Sequence, residues 1–237
     1  MQINSLRKKF LPKQEKLKNK KFKSFLNLLL ETKYVYHFDW LGVPTIQFPS
    51  DLIVIQEIFH KYKPDVVIET GVAHGGSLLF YSSILGLFKK SFQVIGIDVK
   101  IKKKNKKNIL SSNVSKNIKL YETSSTNINT FKEILKRTKK KKVIVILDSN
   151  HSHEHVLSEL KMFSKLIKKN GYLIVMDTVI EFIKRKYNNK DRDFYKGNSP
   201  YTAVQEFLKS NKKFKVDKLF ENKAIISSGI GGFLKKL

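Results

Sequence analysis

The sequence contains no cysteine in 237 residues. This absence excludes disulfide bonds, thiolate metal sites and cysteine nucleophiles, so any metal ion must be bound through oxygen or imidazole ligands. A chain without cysteine is compatible with the reducing cytoplasm, although the absence alone does not establish that compartment.

Long apolar runs are also missing. No stretch of about 18 consecutive apolar residues occurs, so the sequence predicts no transmembrane helix. The apolar stretch near the basic N-terminus, residues 25–30, is too short for the core of a signal peptide and lacks a small-residue cleavage site after it. We therefore expect a cytoplasmic protein.

Arginine is scarce, although the formal net charge is +27. The positive charge is nearly all lysine, is spread along the chain and accompanies many Asn and Ile residues, as a codon bias in an A/T-rich genome would produce. Since arginine is the better reader of bases and phosphates, we expect a solvated lysine surface and no specific nucleic-acid binding. Peripheral contact with an anionic membrane or non-specific contact with nucleic acid stays an alternative.

The chain length suits one domain with a short extension. Residues 1–33 are lysine-rich, with apolar residues at loosely helical spacing, and are predicted to form a basic helical extension before a domain at residues 34–237. Residues 34–50 contain Pro44 and Pro49 and suit an irregular arm. Asp51 then has the position of an N-cap for a helix that reaches about residue 62.

From Pro64 onward, short β-branched runs alternate with helical stretches. Strands that are buried on both faces have continuous apolar runs, and regular β–α alternation indicates a mostly parallel sheet with helices on both sides. The last two runs, FKVDKLFEN and AIISSGIGGFLKKL, indicate an antiparallel hairpin, tightly joined, at one edge. The predicted fold class is therefore α/β, a doubly wound, Rossmann-like sheet with an antiparallel edge hairpin.

Ligands of such sheets bind outside the carboxyl ends of the strands, so the strand ends are the candidate site. The first strand ends in ETGVAHGGS and leads into a helix, whose free N–H groups suit a carboxylate or phosphate. Its spacing differs from the dinucleotide-binding glycine pattern. Asp98 ends the second strand and can accept both hydroxyls of a ribose, while Ser124 and Ser125 follow the third strand and suit an adenine edge.

Two aspartates end the fourth and fifth strands, Asp148 and Asp177. Adjacent strand ends can bring both carboxylates to one hard cation, and His151 then lies in reach of a metal-bound hydroxyl as a general base. An alternative is a zinc or nickel cluster of His151, His153 and His155. Helical spacing places His151 and His155 on one face, so we expect His155 to pack or to orient a loop and His153 to be exposed.

Several segments of the sequence resemble the cephalosporin-hydroxylase-like methyltransferases, a family that includes macrolide-sugar and rhamnosyl O-methyltransferases. The matching segments are WLGVPTIQFPSDL, ETGVAHGGSLLFYSS, IGIDV, LDSNHSHEHVLSEL, MDTVIE, KGNSPYTAVQEFLKSNKKFKVD and GGFLKKL. They cover roughly residues 38–237, and residues 1–33 lie outside the resemblance.

The resemblance implies S-adenosylmethionine as the cofactor and magnesium as the metal. The implied cofactor-binding residues are Glu69, Gly71, Gly75, Gly76, Ser77, Asp98, Ser124 and Ser125. It also implies Asp148 and Asp177 as magnesium ligands and His151 as the base. Several relatives have glutamate directly before the second aspartate, whereas this chain has Met176, a poor magnesium ligand. Water or Glu181 then completes the metal site, or metal binding is weakened.

These features predict a magnesium-assisted O-methyltransferase. The expected acceptor is a sugar hydroxyl of a polysaccharide, glycolipid or glycosylated metabolite, with residues 34–50 and 180–199 forming the acceptor pocket and lid. Two alternatives stay open: an NAD-dependent oxidoreductase, which the loop spacing disfavours, and a non-catalytic basic binding module. The oligomeric state is not readable from the sequence.

Overall fold

The computed structural model describes residues 20–183 and 193–237. Most of the predicted N-terminal extension, residues 1–19, and part of the predicted lid, residues 184–192, lie outside the described residues. The helices are α1 (Lys20–Glu31), α2 (Pro49–Tyr62), α3 (Gly76–Gly86), α4 (Lys103–Leu110), α5 (Ile128–Thr138), α6 (His153–Phe163), α7 (Pro200–Ser210) and α8 (Lys218–Lys223). The strands are β1 (Asp39–Trp40), β2 (Val43–Pro44), β3 (Val66–Thr70), β4 (Gln93–Asp98), β5 (Ile118–Glu122), β6 (Val143–Leu147), β7 (Tyr172–Val175), β8 (Phe214–Val216) and β9 (Phe233–Lys236).

Seven strands form one sheet in the order β5-β4-β3-β6-β7-β9-β8. Strands β3 to β7 are parallel to one another, and β9 pairs antiparallel with both β7 and β8. Every residue of β3 and β6 is buried, as their continuous apolar runs predict. The doubly wound, mostly parallel α/β sheet is therefore confirmed.

Helices cover both faces of this sheet. Apolar side chains of α2, α3, α4 and α8 pack on one face, where Ile55, Leu78 and Phe233 are fully buried. Those of α5, α6 and α7 pack on the other face around Phe163 and Val204. This three-layer arrangement leaves the carboxyl ends of β3, β4, β6 and β7 at one edge, where the polar residues of the candidate site follow the strands.

Two local predictions were wrong. Asp51 is not the N-cap of α2: the helix begins at Pro49 with Phe48 as its N-cap, and Asp51 is a buried residue of the first turn. The edge strands β8 and β9 do pair antiparallel, but they are not tightly joined. Asp217 accepts a hydrogen bond from the Leu219 backbone and starts helix α8, so a helix and a long connection separate the two strands.

The N-terminal extension is helical where the structure describes it, because α1 spans Lys20–Glu31. Its Leu26 is buried in a small apolar cluster with Phe48, Val179 and Ile230. The extension therefore packs beside the carboxyl-end edge of the sheet. Within the described residues, no helix is both long and apolar enough to cross a membrane.

Candidate active site

A cavity of about 680 Å³ lies at the carboxyl ends of the central strands. This volume is in the range of small-molecule binding sites. The glycine loop after β3 and Asp98 line one part of it, and Asp148, His151 and Asp177 line another. The cavity therefore lies at the strand ends, where the sequence predicted a ligand site.

The loop between β3 and α3 depends on two glycines. Gly71 has φ +86°, and a Cβ on it would lie 2.0 Å from the carbonyl oxygen of Asp148. Gly76 begins α3, and a Cβ there would lie 2.1 Å from Thr45 Oγ1. Glycine is required because the backbone of this loop approaches its neighbours too closely for a side chain. The cavity lining includes Gly71, Gly75, Gly76 and Ser77.

Asp98 connects the end of β4 to this loop. Its Oδ2 accepts hydrogen bonds from the backbone N–H groups of Val72 (2.8 Å) and Ala73 (3.3 Å), and its Oδ1 accepts from Lys100 (3.1 Å). The carboxylate faces the cavity and retains acceptor capacity for hydroxyl groups. The ribose assignment stays a prediction.

Glu69 lies behind the cavity lining. It is 1% exposed, and its carboxylate accepts hydrogen bonds from Ser77 Oγ (2.6 Å) and Tyr81 OH (2.8 Å). Burial raises the pKa of Glu69 to about 8, against the lowering effect of these two donors. In this structure Glu69 holds the cavity-lining Ser77 in place and does not itself face the cavity.

The two serines after β5 have different positions. Ser125 lines the cavity, and its hydroxyl is 3.0 Å from His155 Nε2. Ser124 does not belong to the lining, and its hydroxyl hydrogen-bonds Thr126 Oγ1 at 2.9 Å. Of this predicted pair, therefore, only Ser125 is placed to contact a ligand.

Asp148, His151 and Asp177 form the cluster predicted from the fourth and fifth strand ends. One ligand atom from each residue lies within 4.8 Å of the others. His151 Nε2 is 3.1 Å from Asp177 Oδ2 and 3.9 Å from Asp148 Oδ1. Burial, and then the negative charge of Asp177, hold the pKa of Asp148 well above its usual range. Two carboxylates crowded in this way suit a bound cation.

Glu181 and Met176 take no part in this cluster. The Glu181 carboxylate instead accepts hydrogen bonds from Gly197 N (3.0 Å) and Ser199 Oγ (2.7 Å), just before α7. Met176 is 1% exposed and packs in the hydrophobic core. The structure therefore does not place Glu181 beside Asp148 and Asp177. Of the alternatives for a site in which Met176 is no ligand, a water ligand or weakened metal binding is left.

The three histidines do not converge on one metal. His155 packs as expected, because its Nε2 lies 3.0 Å from Ser125 Oγ and 3.2 Å from Ser149 Oγ. The expectation that His153 is exposed was wrong. Its Nδ1 is 2.8 Å from Thr202 Oγ1 and its Nε2 is 3.1 Å from Glu206 Oε2, so this half-buried ring joins α6 to α7.

Two further polar residues of this region escaped the sequence reasoning, Gln47 and Asp51. Gln47 is 3% exposed and lines the cavity. Its amide donates to Tyr81 OH at 3.3 Å and hydrogen-bonds Asp148, so Gln47 connects the Glu69 network to the acid cluster. Asp51 is fully buried, which raises its pKa to about 7. Both lie in QFPSD, part of the segment WLGVPTIQFPSDL that resembles the family. Their position in that segment was the one sequence feature that could have indicated a role in the site.

The remaining cavity wall comes from segments outside the strand ends. The predicted arm contributes Val35, Tyr36, Ile46 and Phe48, and the described part of the predicted lid contributes Asp193 and Phe194. Leu30 and Lys33 of the N-terminal extension line it as well. The ring of Phe194 lies 5.1 Å from that of His151, centroid to centroid, so this wall reaches the acid cluster.

The fold is shared with solved methyltransferase structures. A solved structure described as cmcI-D160 Mg-SAM superposes with a TM-score of 0.60 at 20% identity, covering 85% of this chain and 77% of that one. An O-methyltransferase from Bacillus cereus in complex with SAH superposes with a TM-score of 0.53 at 11% identity, covering 99% and 96% of the two chains. At these identities the likeness shows the shared fold.

The family follows from the sequence comparisons. The model of the Rhamnosyl O-methyltransferase/CmcI family matches residues 32–237, and the chain belongs to this family. A Rhamnosyl O-methyltransferase of Mycobacterium bovis (strain BCG / Pasteur 1173P2) is 30% identical over 211 residues, 87% of this chain and 79% of that protein. That of Mycobacterium leprae (strain TN) is 31% identical over 142 residues, 59% of each chain. The chain is thus an S-adenosylmethionine-dependent methyltransferase, and the oxidoreductase alternative is set aside.

Proposed function

We propose that this protein transfers the methyl group of S-adenosylmethionine to a hydroxyl of a sugar-containing acceptor, with help from Mg²⁺. The observation that carries the proposal is the convergence of Asp148, His151 and Asp177 in the cavity that also contains the glycine loop and Asp98. One cavity then offers separate sites for a cofactor, a cation and an acceptor.

The cofactor fits the loop side of this cavity. The backbone at Gly71, Gly75 and Gly76 leaves room for close approach, and the N-terminus of α3 favours the carboxylate of an amino-acid group. Asp98 provides the acceptor oxygens that ribose hydroxyls need. The surrounding carboxylates also suit a ligand that carries a positive sulfonium.

The metal fits the acid side. Asp148 and Asp177 supply the carboxylate oxygens that Mg²⁺ prefers, and their crowding is relieved by a divalent cation. Met176 supplies no ligand atom, so water and acceptor oxygens would complete the coordination. We propose these two aspartates as the protein ligands of the metal, and a relative described as containing Mg and SAM has the same fold.

His151 is proposed as the general base. When bound, Mg²⁺ would lower the pKa of the acceptor hydroxyl, and S-adenosylmethionine would supply an activated methyl group. His151 would accept the hydroxyl proton on its imidazole, and Asp177, whose Oδ2 is 3.1 Å from His151 Nε2, would stabilise the resulting imidazolium. Phe194 packs against the imidazole and restricts its orientation.

The acceptor class follows from the mixed lining and from the relatives. Part of the cavity wall is apolar, with Leu30, Val35, Ile46 and Phe194, whereas the strand ends contribute polar side chains. Such a cavity suits a sugar ring attached to a less polar group. Relatives described as rhamnosyl O-methyltransferases support a glycan acceptor, which we propose to be part of a polysaccharide, a glycolipid or a glycosylated metabolite.

A radiolabelled methyl-transfer assay on a panel of p-nitrophenyl glycosides tests the proposal. Chelator should suppress transfer while S-adenosylhomocysteine still binds in calorimetry, because the two sites use different residues. His151→Ala should lower kcat by about 10²–10⁴-fold. His60→Ala is the matched control, because it removes an imidazole that packs edge-to-face against Phe88 and is absent from the cavity lining. Full activity in chelator together with an active His151→Ala enzyme would refute the metal-and-base mechanism.

A further inference from the structure

A buried carboxylate lies behind the acid cluster. Asp51 is 0% exposed in the first turn of α2 and is absent from the cavity lining. Burying a carboxylate is costly unless hydrogen bonds compensate for the lost water. The hydrogen bonds that Asp51 makes therefore indicate what this residue does.

Those hydrogen bonds come from two neighbouring residues near the C-terminus, Ser227 and Ser228. Asp51 Oδ2 accepts from the Ser228 backbone N–H at 2.9 Å and from Ser228 Oγ at 3.2 Å. The carbonyl oxygen of Ser228 in turn accepts from Val179 N at 3.0 Å and from Thr178 Oγ1 at 3.1 Å. Asp51 is thereby connected, through the single residue Ser228, to the two residues that directly follow Asp177.

The backbone at Asp177 needs such support. Asp177 has φ 54° and ψ 16°, a left-handed conformation that costs a non-glycine residue on the order of 1 kcal/mol. The direction of its carboxylate depends on that conformation, because Asp177 lies at the turn between β7 and the short helix Thr178–Phe182. Contacts that fix Thr178 and Val179 therefore fix Asp177 as well.

We infer that Asp51 is a positioning residue that holds the proposed metal ligand Asp177 in place through Ser228. The inference rests on the proposed function, since Asp177 needs a fixed direction only if it binds a ligand. Asp51 does not touch the metal or the acceptor; it determines the geometry of the residue that does. Mutations of such supporting residues typically weaken metal binding by about 10–100-fold.

Binding of Mn²⁺, measured by electron paramagnetic resonance and competed with Mg²⁺, tests this role without any turnover. Asp51→Ala should weaken Mn²⁺ binding by about tenfold. Asp51→Asn should stay within about threefold of wild type, because the amide oxygen still accepts from Ser228. Affinity for S-adenosylhomocysteine should be unchanged in both variants, because its proposed site is on the loop side of the cavity.

Two further variants keep the test decisive if Asp51→Ala folds poorly. Thr178→Val removes the bond to the Ser228 carbonyl without touching Asp51, and a twofold to fivefold loss of Mn²⁺ affinity, on the order of a single neutral hydrogen bond, is expected. Asp65→Ala is the matched control, because this aspartate also accepts a backbone N–H, from Lys142 at 2.7 Å, but at the opposite end of β3. It should leave Mn²⁺ affinity unchanged.

The outcomes separate the inference from the proposed function. Wild-type affinity in both Asp51→Ala and Thr178→Val would overturn the positioning role while leaving the metal site intact. An Asp51→Asn variant as weak as Asp51→Ala would also overturn it, since charge and not hydrogen bonding would then matter. A wild-type protein that binds no Mn²⁺ would refute the proposed metal site itself.

Discussion

Replacing Asp98 with alanine should weaken the binding of S-adenosylhomocysteine by about 1.5–3 kcal/mol. Asp98 accepts three backbone N–H groups, from Val72, Ala73 and Lys100, and it faces the cavity. A carboxylate has about four acceptor positions, so about one position is left for a ribose hydroxyl. Hydrogen bonds to a charged group contribute about 1.5–3 kcal/mol, which corresponds to a roughly 10- to 150-fold increase in Kd.

Isothermal titration calorimetry measures this change directly. Asp98→Asn should give an intermediate Kd, because it retains one acceptor oxygen but places an amide next to the loop N–H groups. Glu133→Ala is a suitable control, since it removes a surface carboxylate that pairs with Lys119 and Arg137 outside the cavity lining. An unchanged Kd for Asp98→Ala, with one-to-one stoichiometry, would refute the ribose assignment.

Two further predictions follow from the loop and its support. Gly71→Ala should lose most cofactor binding and about 2–4 kcal/mol of stability, because its Cβ would lie 2.0 Å from the Asp148 carbonyl oxygen. Gly42→Ala is the control for backbone strain alone, since Gly42 has φ +75° and its added Cβ would meet nothing within 4 Å. Equal losses of stability in the two variants would contradict the steric argument. Glu69 has a pKa of about 8 in the folded protein against 4.5 in the unfolded chain, so folding favours its neutral form. The free energy of unfolding should therefore fall by up to about 1.4 kcal/mol per pH unit as the pH rises from about 4.5 to 8. Glu69→Gln, which mimics the neutral acid, should flatten that part of the curve of unfolding free energy against pH, and parallel curves would show that Glu69 titrates normally.

The sheet and the acid cluster were predictable because both depend on local pattern. Continuous apolar runs identify buried parallel strands, and parallel strand ends meet at one edge, so Asp148 and Asp177 were expected to lie close together. His151 follows Asp148 by three residues and could not lie far from it. The prediction needed no knowledge of which distant segments pack together.

The wrong predictions concern residues whose positions are determined by long-range contacts. Asp51 stands before an apolar run and looks locally like an N-cap, but its partner Ser228 is 177 residues away. Glu181 is close to Asp177 in sequence, yet hydrogen bonds near Ser199 take its carboxylate to another part of the fold. His153 has polar partners only because α7 packs against α6. None of these contacts has a signature in the local sequence.

The contribution of the N-terminal extension to the cavity has a consequence for how acceptor choice is encoded. Leu30 and Lys33 line the cavity, and Leu30 lies before residue 32, where the family match begins. The reacting end is built from strand termini of the shared domain, whereas part of the facing wall is built from an appended helix. Part of the cavity wall is thus encoded in a stretch of the gene separate from the strand-end residues. Exchanging the extension between homologues should therefore change that part of the wall while the proposed methyl-transfer residues stay in place.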